Sequence, residues 1–491
     1  MLRRICLIFW ILIFFPAASL EASPETIRKV FETIEKRYAD PVRPAQIYAR
    51  TLDQMKKSFP DRMTVEDLST DAYRITCDQQ TVDLQLSRRD QVANIGQMKN
   101  VLELCTPPET LKIMRKNQLD GEQIVLDMLL GALDSHSSYM NADMVRELNT
   151  GLSGRFGGIG AEITLQDGVI TVVSPIDDTP AFLAGIKPGD QIIKINDVPT
   201  KGMTTWEAVK KIRGPENTKV RLTLLHKKEP KPRQLTITRA IINVKTVKYK
   251  LHDDQVGYIR MSSFQEKTAD DLRAALSEMD KKSGPLKGLL LDLRNNPGGL
   301  MDQAIRVSDQ FLTSGVIVST RGRIKFLQNR TRASNRGDEP AYPIVILINE
   351  GTASSAEIVS GALQDNRRAL LVGTQTFGKG SVQTIFPLDD GSAIKLTTSR
   401  YYTPGGRVVH ENGITPDVLV GNTQGIREKD LQLHRKEDRA ELKKKVRDPA
   451  SRDVEMEKEA QLQIGLQLLR KAIAAGDLQK GLHAFNTAGL L

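Results

Sequence analysis

The chain has 491 residues, room for about three domains at roughly 150 residues each. Apolar residues make up 40% and charged residues 26%, a balance that excludes a disordered or fibrous protein. The net charge of +10 is local: residues 226–250 hold eight Lys/Arg against Glu229, and residues 427–447 hold nine against five acids.

Residues 1–22 read as an export signal. Arg3 and Arg4 precede an apolar run of 11, Ile5 to Phe15, and small residues follow in Pro16-Ala17-Ala18-Ser19 and Leu20-Glu21-Ala22. The run falls short of the ~20 apolar residues of a membrane span. An uncleaved interfacial anchor is the other reading of the same run. The expectation is an exported protein that works outside the cytoplasm, in a bacterial periplasm or cell envelope. Export argues against nucleic acid as the partner of the basic stretches and leaves association with a membrane surface open, beside the plainer reading of a solvated basic face. Cleavage removes Cys6. Cys77 and Cys105 remain, either as a disulfide suited to an oxidising compartment or as two buried thiols.

Residues 23–105 are expected to be mainly helical. Ile27, Val30, Phe31 and Ile34 share one helical face, and Thr64-Val65-Glu66-Asp67-Leu68-Ser69 opens like a helix. In residues 106–150, Ile124, Leu126, Leu129, Leu130 and Leu133 predict a buried helix that runs from Asp120 into Leu133-Asp134-Ser135-His136-Ser137-Ser138-Tyr139. Residues 151–242 change to short strands and glycine turns. Asp167-Gly168 joins Ala161–Leu165 to Val169–Val173 as a hairpin, Gln191–Asn196 is a strand, Thr204–Arg213 an amphipathic helix, and Val220–Leu225 pairs with Leu235–Ile237. Residues 243–421 alternate strands (Val256–Met261, Gly288–Leu293, Ile344–Ile348, Ala369–Val372) with helices (Thr268–Met279, Met301–Leu312, Ser355–Gln364), which implies a parallel, layered α/β core. Residues 422–491 are charged and helical, with Leu462, Leu466 and Leu469 as an apolar stripe.

Three turns of the α/β core carry chemistry. Asn349-Glu350-Gly351-Thr352-Ala353-Ser354-Ser355-Ala356-Glu357 links a buried strand to a helix, so its side chains sit at the carboxyl edge of the sheet beside unpaired helix amides. A serine there stands like a nucleophile at a strand-to-helix elbow, or simply caps the helix. None of the six histidines, 136, 226, 252, 410, 434 and 483, falls in a trypsin-like or hydrolase-like motif. A lysine base dispenses with histidine. The candidate lies in Gly373-Thr374-Gln375-Thr376-Phe377-Gly378-Lys379-Gly380-Ser381-Val382-Gln383, where strand period places Lys379, Ser381 and Gln383 on one face. A lysine acts as a base only when neutral, and burial favours the neutral form. The same segment imitates a phosphate-binding loop, but Gly380 stands where that motif needs Ser or Thr. In the third turn, Asp292-Leu293-Arg294-Asn295-Asn296-Pro297-Gly298-Gly299, adjacent glycines let backbone amides approach a reacting carbonyl.

Together these three segments resemble the carboxyl-terminal processing peptidases, or tail-specific proteases, with Leu133-Asp134-Ser135-His136-Ser137-Ser138-Tyr139 and Gly413-Ile414-Thr415-Pro416-Asp417 as flanking landmarks. The likeness covers about 110–420. It implies a multidomain fold: a layered α/β catalytic core of crotonase- or ClpP-like βαβ units, an inserted β-rich PDZ domain, and helical N- and C-terminal regions. It also implies Ser354 as nucleophile, Lys379 as general base, Gln383 as the residue that orients the lysine, and an oxyanion hole from the amide of Ser355 and one of Gly298 and Gly299. Family members often read Ser-Ala-Ser-Ala-Ser-Glu where this chain reads Thr352-Ala353-Ser354-Ser355-Ala356-Glu357, which makes Ser355 the competing assignment.

Phe156-Gly157-Gly158-Ile159-Gly160, Ala181–Asp190 and the helix 204–213 are similar to a bacterial PDZ domain. The amides of Gly158, Ile159 and Gly160 are expected to hold a terminal carboxylate, the peptide to add as a strand beside Ala161–Thr164, and Ile163 and Val209 to meet its last side chain. The expected function is therefore hydrolysis of proteins near their C-termini, with no metal and no cofactor. The partners are substrate proteins captured by their tails; a homo-oligomer or an adaptor protein is left open. A catalytically inactive PDZ scaffold is the alternative, and it would require loss of Ser354 or Lys379. A trypsin-like peptidase would need a His/Asp/Ser order ahead of the PDZ domain, which is absent.

Overall fold

The computed structural model describes residues 22–487 apart from 117–119, 167, 177, 227–230, 326–327 and 422–453. The export signal, except Ala22, and the basic stretch 427–447 lie outside the described residues.

Helix α1 (Pro24–Arg37) starts where Ser23 accepts the Thr26 amide, and it buries Ile27, Val30, Phe31 and Ile34 as their spacing predicts. Ala22 is buried as well, its amide donating to Asp120 Oδ2 at 3.1 Å. Helix α2 (Pro44–Ser58) follows. The expected helix at Thr64 is instead a strand: β1 (Met63–Ser69), β2 (Ala72–Cys77) and β3 (Gln80–Gln85) form an antiparallel sheet. Thr64 and Asp67 imitate a helix start, yet β1 buries only Met63 and has no apolar helical stripe. Pairing with β2, whose Tyr73, Ile75 and Cys77 alternate inward, satisfies its backbone instead. Helices α3 (Gln91–Cys105), α4 (Pro108–Lys116) and α5 (Gly121–Gly131), strand β4 (Ser138–Met140) and helix α6 (Ala142–Ser153) complete this part. Cys77 and Cys105 are joined as a disulfide with Cα atoms 5.2 Å apart, tying β2 to the end of α3.

Strands β5 (Arg155–Gly158), β6 (Ala161–Gln166) and β7 (Val169–Pro175), helix α7 (Pro180–Leu183), strands β8 (Gln191–Ile195) and β9 (Val198–Pro199), helix α8 (Thr205–Ile212) and strands β10 (Lys219–Leu225), β11 (Arg233–Thr238) and β12 (Ala240–Asn243) make the β-rich unit. Its main sheet runs β11-β10-β8-β7-β6, so β6 has an open edge. The antiparallel pair β5–β12 closes the unit where the chain enters and leaves. Ile170, Val172, Ile192, Ile195, Leu222 and Leu224 form its own core.

The α/β core contains β13 (Val247–Leu251), β14 (Val256–Met261), α9 (Thr268–Ser283), β15 (Gly288–Asp292), α10 (Met301–Asp309), β16 (Val316–Arg321), β17 (Asn329–Arg332), β18 (Ile344–Ile348), α11 (Ser355–Asp365), β19 (Ala369–Gly373), β20 (Ser381–Pro387), β21 (Ala393–Tyr402) and β22 (Val418–Leu419). Its main sheet runs β13-β14-β15-β18-β19-β22, parallel from β14 onward. Because parallel strands are covered on both faces, β15, β18 and β19 are buried throughout and read as apolar runs, broken only by Asp292 at the end of β15. On one face Leu289, Leu291, Ile346 and Ile348 meet Leu272, Val307 and Val359. On the other, Leu290, Val345, Leu347 and Val372 meet Leu466, Leu469 and Phe485 of the C-terminal helices α12 (Val454–Ala475) and α13 (Leu478–Asn486). A second sheet, β17-β16-β21-β20 with β4 on β21, was not foreseen from the sequence. Its Ile394 and Leu396 share a core with α1, α2, α3 and α5, so the N-terminal helices are built onto the α/β core.

Candidate active site

The three sequence-predicted turns meet at the carboxyl edge of the parallel sheet. Asn349 Oδ1 accepts the amides of Asn295 (2.8 Å) and Gly351 (3.1 Å), Ala353 N donates to Asn296 O at 2.9 Å, and Phe377 N donates to Thr352 O at 3.0 Å. The turns are therefore one hydrogen-bonded unit rather than three neighbouring loops.

Ser354 stands between β18 and α11 at φ 54°, ψ −118°. Positive φ is costly for a residue with a Cβ and persists only where the surroundings over-determine it. The surroundings here are Glu357, whose Oε2 accepts the Ser354 amide at 2.7 Å, and the Pro297-Gly298-Gly299 turn. A Cβ at position 298 would stand 2.7 Å from Ser354 Cβ and 2.8 Å from Ala353 O, so only glycine allows the two turns to touch. Ser354 is half-buried. Ser355 is 1% exposed, and its hydroxyl donates to Gly299 O at 2.9 Å. Of the two serines, Ser355 has a structural bond and Ser354 the elbow.

Backbone hydrogen bonding separates the two glycines. The Gly298 amide donates to Asn296 Oδ1 at 2.9 Å. Among the described residues, the amides of Gly299 and Ser355 carry no such bond.

Lys379 lies in the loop before β20, not on the strand. Ser381 and Gln383 share a face of β20, as their bonded side chains show, whereas Lys379 is set off that face by the glycines on either side. Gly378 has φ +96°, and a Cβ at Gly380 would be 2.2 Å from His410 N, so the loop is pressed onto the 409–413 segment. The bulge opposite Val382 and Gln383 lies on the partner strand β21, where Thr398 is the extra residue. The Lys379 amide donates to Glu357 Oε2 at 2.9 Å, and the Tyr401 hydroxyl bridges the carbonyls of Ser354 and Lys379. Gln383 Nε2 donates to Ser381 Oγ at 2.9 Å and, more weakly, to Thr397 Oγ1 at 3.4 Å. Thr397 Oγ1 in turn donates to Asp134, which also accepts the amides of His136 and Ser137. That is the physical content of the Leu133–Tyr139 landmark: an aspartate turn that braces the strand behind Gln383.

Sequence reasoning missed Glu357. It is fully buried, and burial pushes its carboxyl up to about 7 against the opposing effect of its hydrogen bonds. The signal was available in a charged residue in the first turn of a helix that is buried on all sides from Ser355 to Leu363, where an acid is almost never buried without partners.

In the β-rich unit, a groove of about 70 Å³ is lined by Gly158, Ile159, Gly160, Ile163 and Val209, the five predicted residues, together with Phe156 and Arg213. Gly160 has φ +77°, and a Cβ there would overlap Thr179 at 2.4 Å. The Arg213 guanidinium stacks 4.4 Å from the Phe156 ring and donates to Glu147 of α6 at 2.6 Å.

Residues 255–420 match the model of peptidase family S41, and residues 171–225 match that of the PDZ domain. The carboxy-terminal-processing protease of Bartonella bacilliformis is 48% identical over 320 residues, 65% of this chain and 72% of that one. The carboxy-terminal processing protease CtpA of Bacillus subtilis is 40% identical over 314 residues, 63% of this chain and 66% of that one. A solved PDZ domain of the carboxy-terminal protease from Vibrio cholerae, determined in complex with a peptide, is 30% identical and covers 18% of this chain and 99% of that one, at a TM-score of 0.18. The fold and the matched segments define a serine peptidase with a PDZ domain. The chain belongs to the carboxy-terminal processing protease family.

Proposed function

We propose that Ser354 is the nucleophile of this peptidase and Lys379 its general base. The observation that carries the reading is the convergence of the Ser354 and Lys379 amides on one carboxylate oxygen, with Ser354 held at positive φ on a strand-to-helix elbow. Neutral Lys379 takes the Ser354 proton as Oγ attacks the scissile carbonyl, then returns it to the leaving amine; water releases the acyl group by the same route. The amides of Ser355 and of the Gly298–Gly299 turn hold the oxyanion, with Gly299 the donor not engaged elsewhere. Gln383, braced through Thr397 and Asp134, orients the lysine.

The PDZ groove receives the substrate's C-terminal tail. Two features support this: glycine backbone at 158 and 160 beside the groove, and the open edge of β6, to which an extended peptide adds as a strand. Export is part of the same reading and is supported by the Cys77–Cys105 bridge, since disulfides persist in oxidising compartments.

The test is cleavage of an unfolded protein by Ser354→Ala and Ser355→Ala, with circular dichroism as control. Ser354→Ala loses all cleavage, while Ser355→Ala retains a measurable rate. The reverse order would move the nucleophile to Ser355.

A further inference from the structure

The reading of Ser354 and Lys379 as nucleophile and base leaves without a role the buried ionisable group that lies between their two turns, Glu357. Glu357 is 0% exposed, in the first turn of α11, and its carboxylate takes four donors. Oε1 accepts Thr376 Oγ1 at 2.5 Å and Gly378 N at 2.8 Å; Oε2 accepts Ser354 N at 2.7 Å and Lys379 N at 2.9 Å. A carboxylate offers about four lone-pair sites, so its capacity is filled. One donor belongs to the elbow, and the other three belong to the loop that carries the lysine.

We propose that Glu357 is a positioning residue whose carboxylate clamps the Ser354 elbow to the Thr376–Lys379 loop and so fixes nucleophile and base relative to each other. The inference rests on the Ser354–Lys379 reading. Neither partner holds its place unaided. The elbow sits at a positive φ, and Gly378 and Gly380 contribute no side-chain anchors to the loop. Burial denies the donors a water as substitute acceptor, so the carboxylate alone can satisfy them. The clamp extends one step further, because Thr376 Oγ1 accepts Ile414 N at 2.7 Å and thereby anchors the Gly413–Asp417 landmark to the same carboxylate. Glutamine at 357 keeps the shape but turns an NH2 toward two donors, and misplacement by about 1 Å costs on the order of 100-fold in rate.

The experiment compares full-length wild type, Glu357→Gln, Thr376→Val and Thr376→Ser on one unfolded protein, with Ser354→Ala in parallel. The expected result for folded Glu357→Gln is a kcat lower by about 100-fold with KM within about threefold, the pattern of lost positioning rather than lost binding. Thr376→Val, which removes one donor, loses roughly 3–30-fold in kcat, and Thr376→Ser recovers most of that loss by restoring the hydroxyl. A folded Glu357→Gln with wild-type kcat, or a loss carried mainly by KM, overturns the clamp. If Glu357→Gln does not fold, the Thr376 pair decides: equal kcat for valine and serine overturns it. Activity in Ser354→Ala would instead refute the catalytic reading, whatever position 357 does.

Discussion

Ser354 and Lys379 give their backbone amides to a single atom, Glu357 Oε2, at 2.7 and 2.9 Å. The residues are separated by α11 and β19 in the chain and come from different turns, yet one acceptor on their amides, with the Tyr401 hydroxyl on their carbonyls, brings their backbones together. A shared acceptor also makes the pair sensitive to the ionisation of one buried group.

That ionisation has a signature in stability. The folded-state pKa of Glu357 is raised from 4.5 to about 7 by burial. Between those values the unfolded chain gives up the proton while the folded chain keeps it, so stability falls as pH rises through this window and levels off above 7. Glutamine at 357 cannot titrate. Urea unfolding of wild type and Glu357→Gln at pH 4.5 and 8 should show the wild type losing about 2–3 kcal/mol more between the two pH values than the variant. Parallel pH dependences would place the ionisation elsewhere.

Gly298 is predicted to tolerate no side chain. Alanine would bring its Cβ within 2.7 Å of Ser354 Cβ and 2.9 Å of Ser355 N, at φ +95°. Gly298→Ala should lower kcat by roughly 100-fold or more through displacement of the elbow and the oxyanion turn, with stability reduced by about 1–3 kcal/mol. Steady-state kinetics with a thermal melt separates the two effects.

The Cys77–Cys105 bridge spans a sequence separation of 28 and ties β2 to α3, far in the chain from the turns that carry Ser354 and Lys379. The chain-entropy relation gives about 3–4 kcal/mol for a loop of this size. Cys77→Ala/Cys105→Ala should melt several degrees lower and retain wild-type kcat while folded, measured below the new transition.

The PDZ groove is predicted to read a free carboxylate. Charge-assisted hydrogen bonds are worth about 1.5–3 kcal/mol each, so replacing the terminal acid by an amide should weaken binding by roughly 10-fold or more. Binding of one apolar-ended peptide in both forms to full-length Ser354→Ala measures this. Equal affinities would mean that the groove does not recognise the terminus.

The parallel core and the turns at its edge were legible because buried strands such as Leu289-Leu290-Leu291 leave no ambiguity of face, and because Pro297-Gly298-Gly299 and Gly378-Lys379-Gly380 punctuate them. The groove residues were legible for the same reason, a glycine-rich entry to an alternating strand. The sheet β1–β3 was not, since Thr64 and Asp67 imitate a helix start and only long-range pairing with β2 decides against it. That Lys379 lies in a loop ahead of β20 was not legible, because Gly380 is pressed against His410, some 30 residues on, which no local pattern encodes. Glu357 was visible as an acid at the start of a helix that follows a buried strand, but its four donors come from two segments that only the fold brings together.

The most direct measurement is kcat/KM on one unfolded protein from pH 5 to 10 for wild type, Lys379→Ala and Lys379→Arg, with and without a chelator. Wild type should rise with pH to an alkaline plateau, as expected for a base that must be neutral, and the chelator should change nothing. Both variants should be roughly 1,000-fold or more slower at every pH with unchanged circular dichroism, arginine included, because it keeps the charge but cannot accept a proton. A Lys379→Ala rate within tenfold of wild type, or an optimum near pH 5 abolished by the chelator, would contradict the Ser354–Lys379 mechanism.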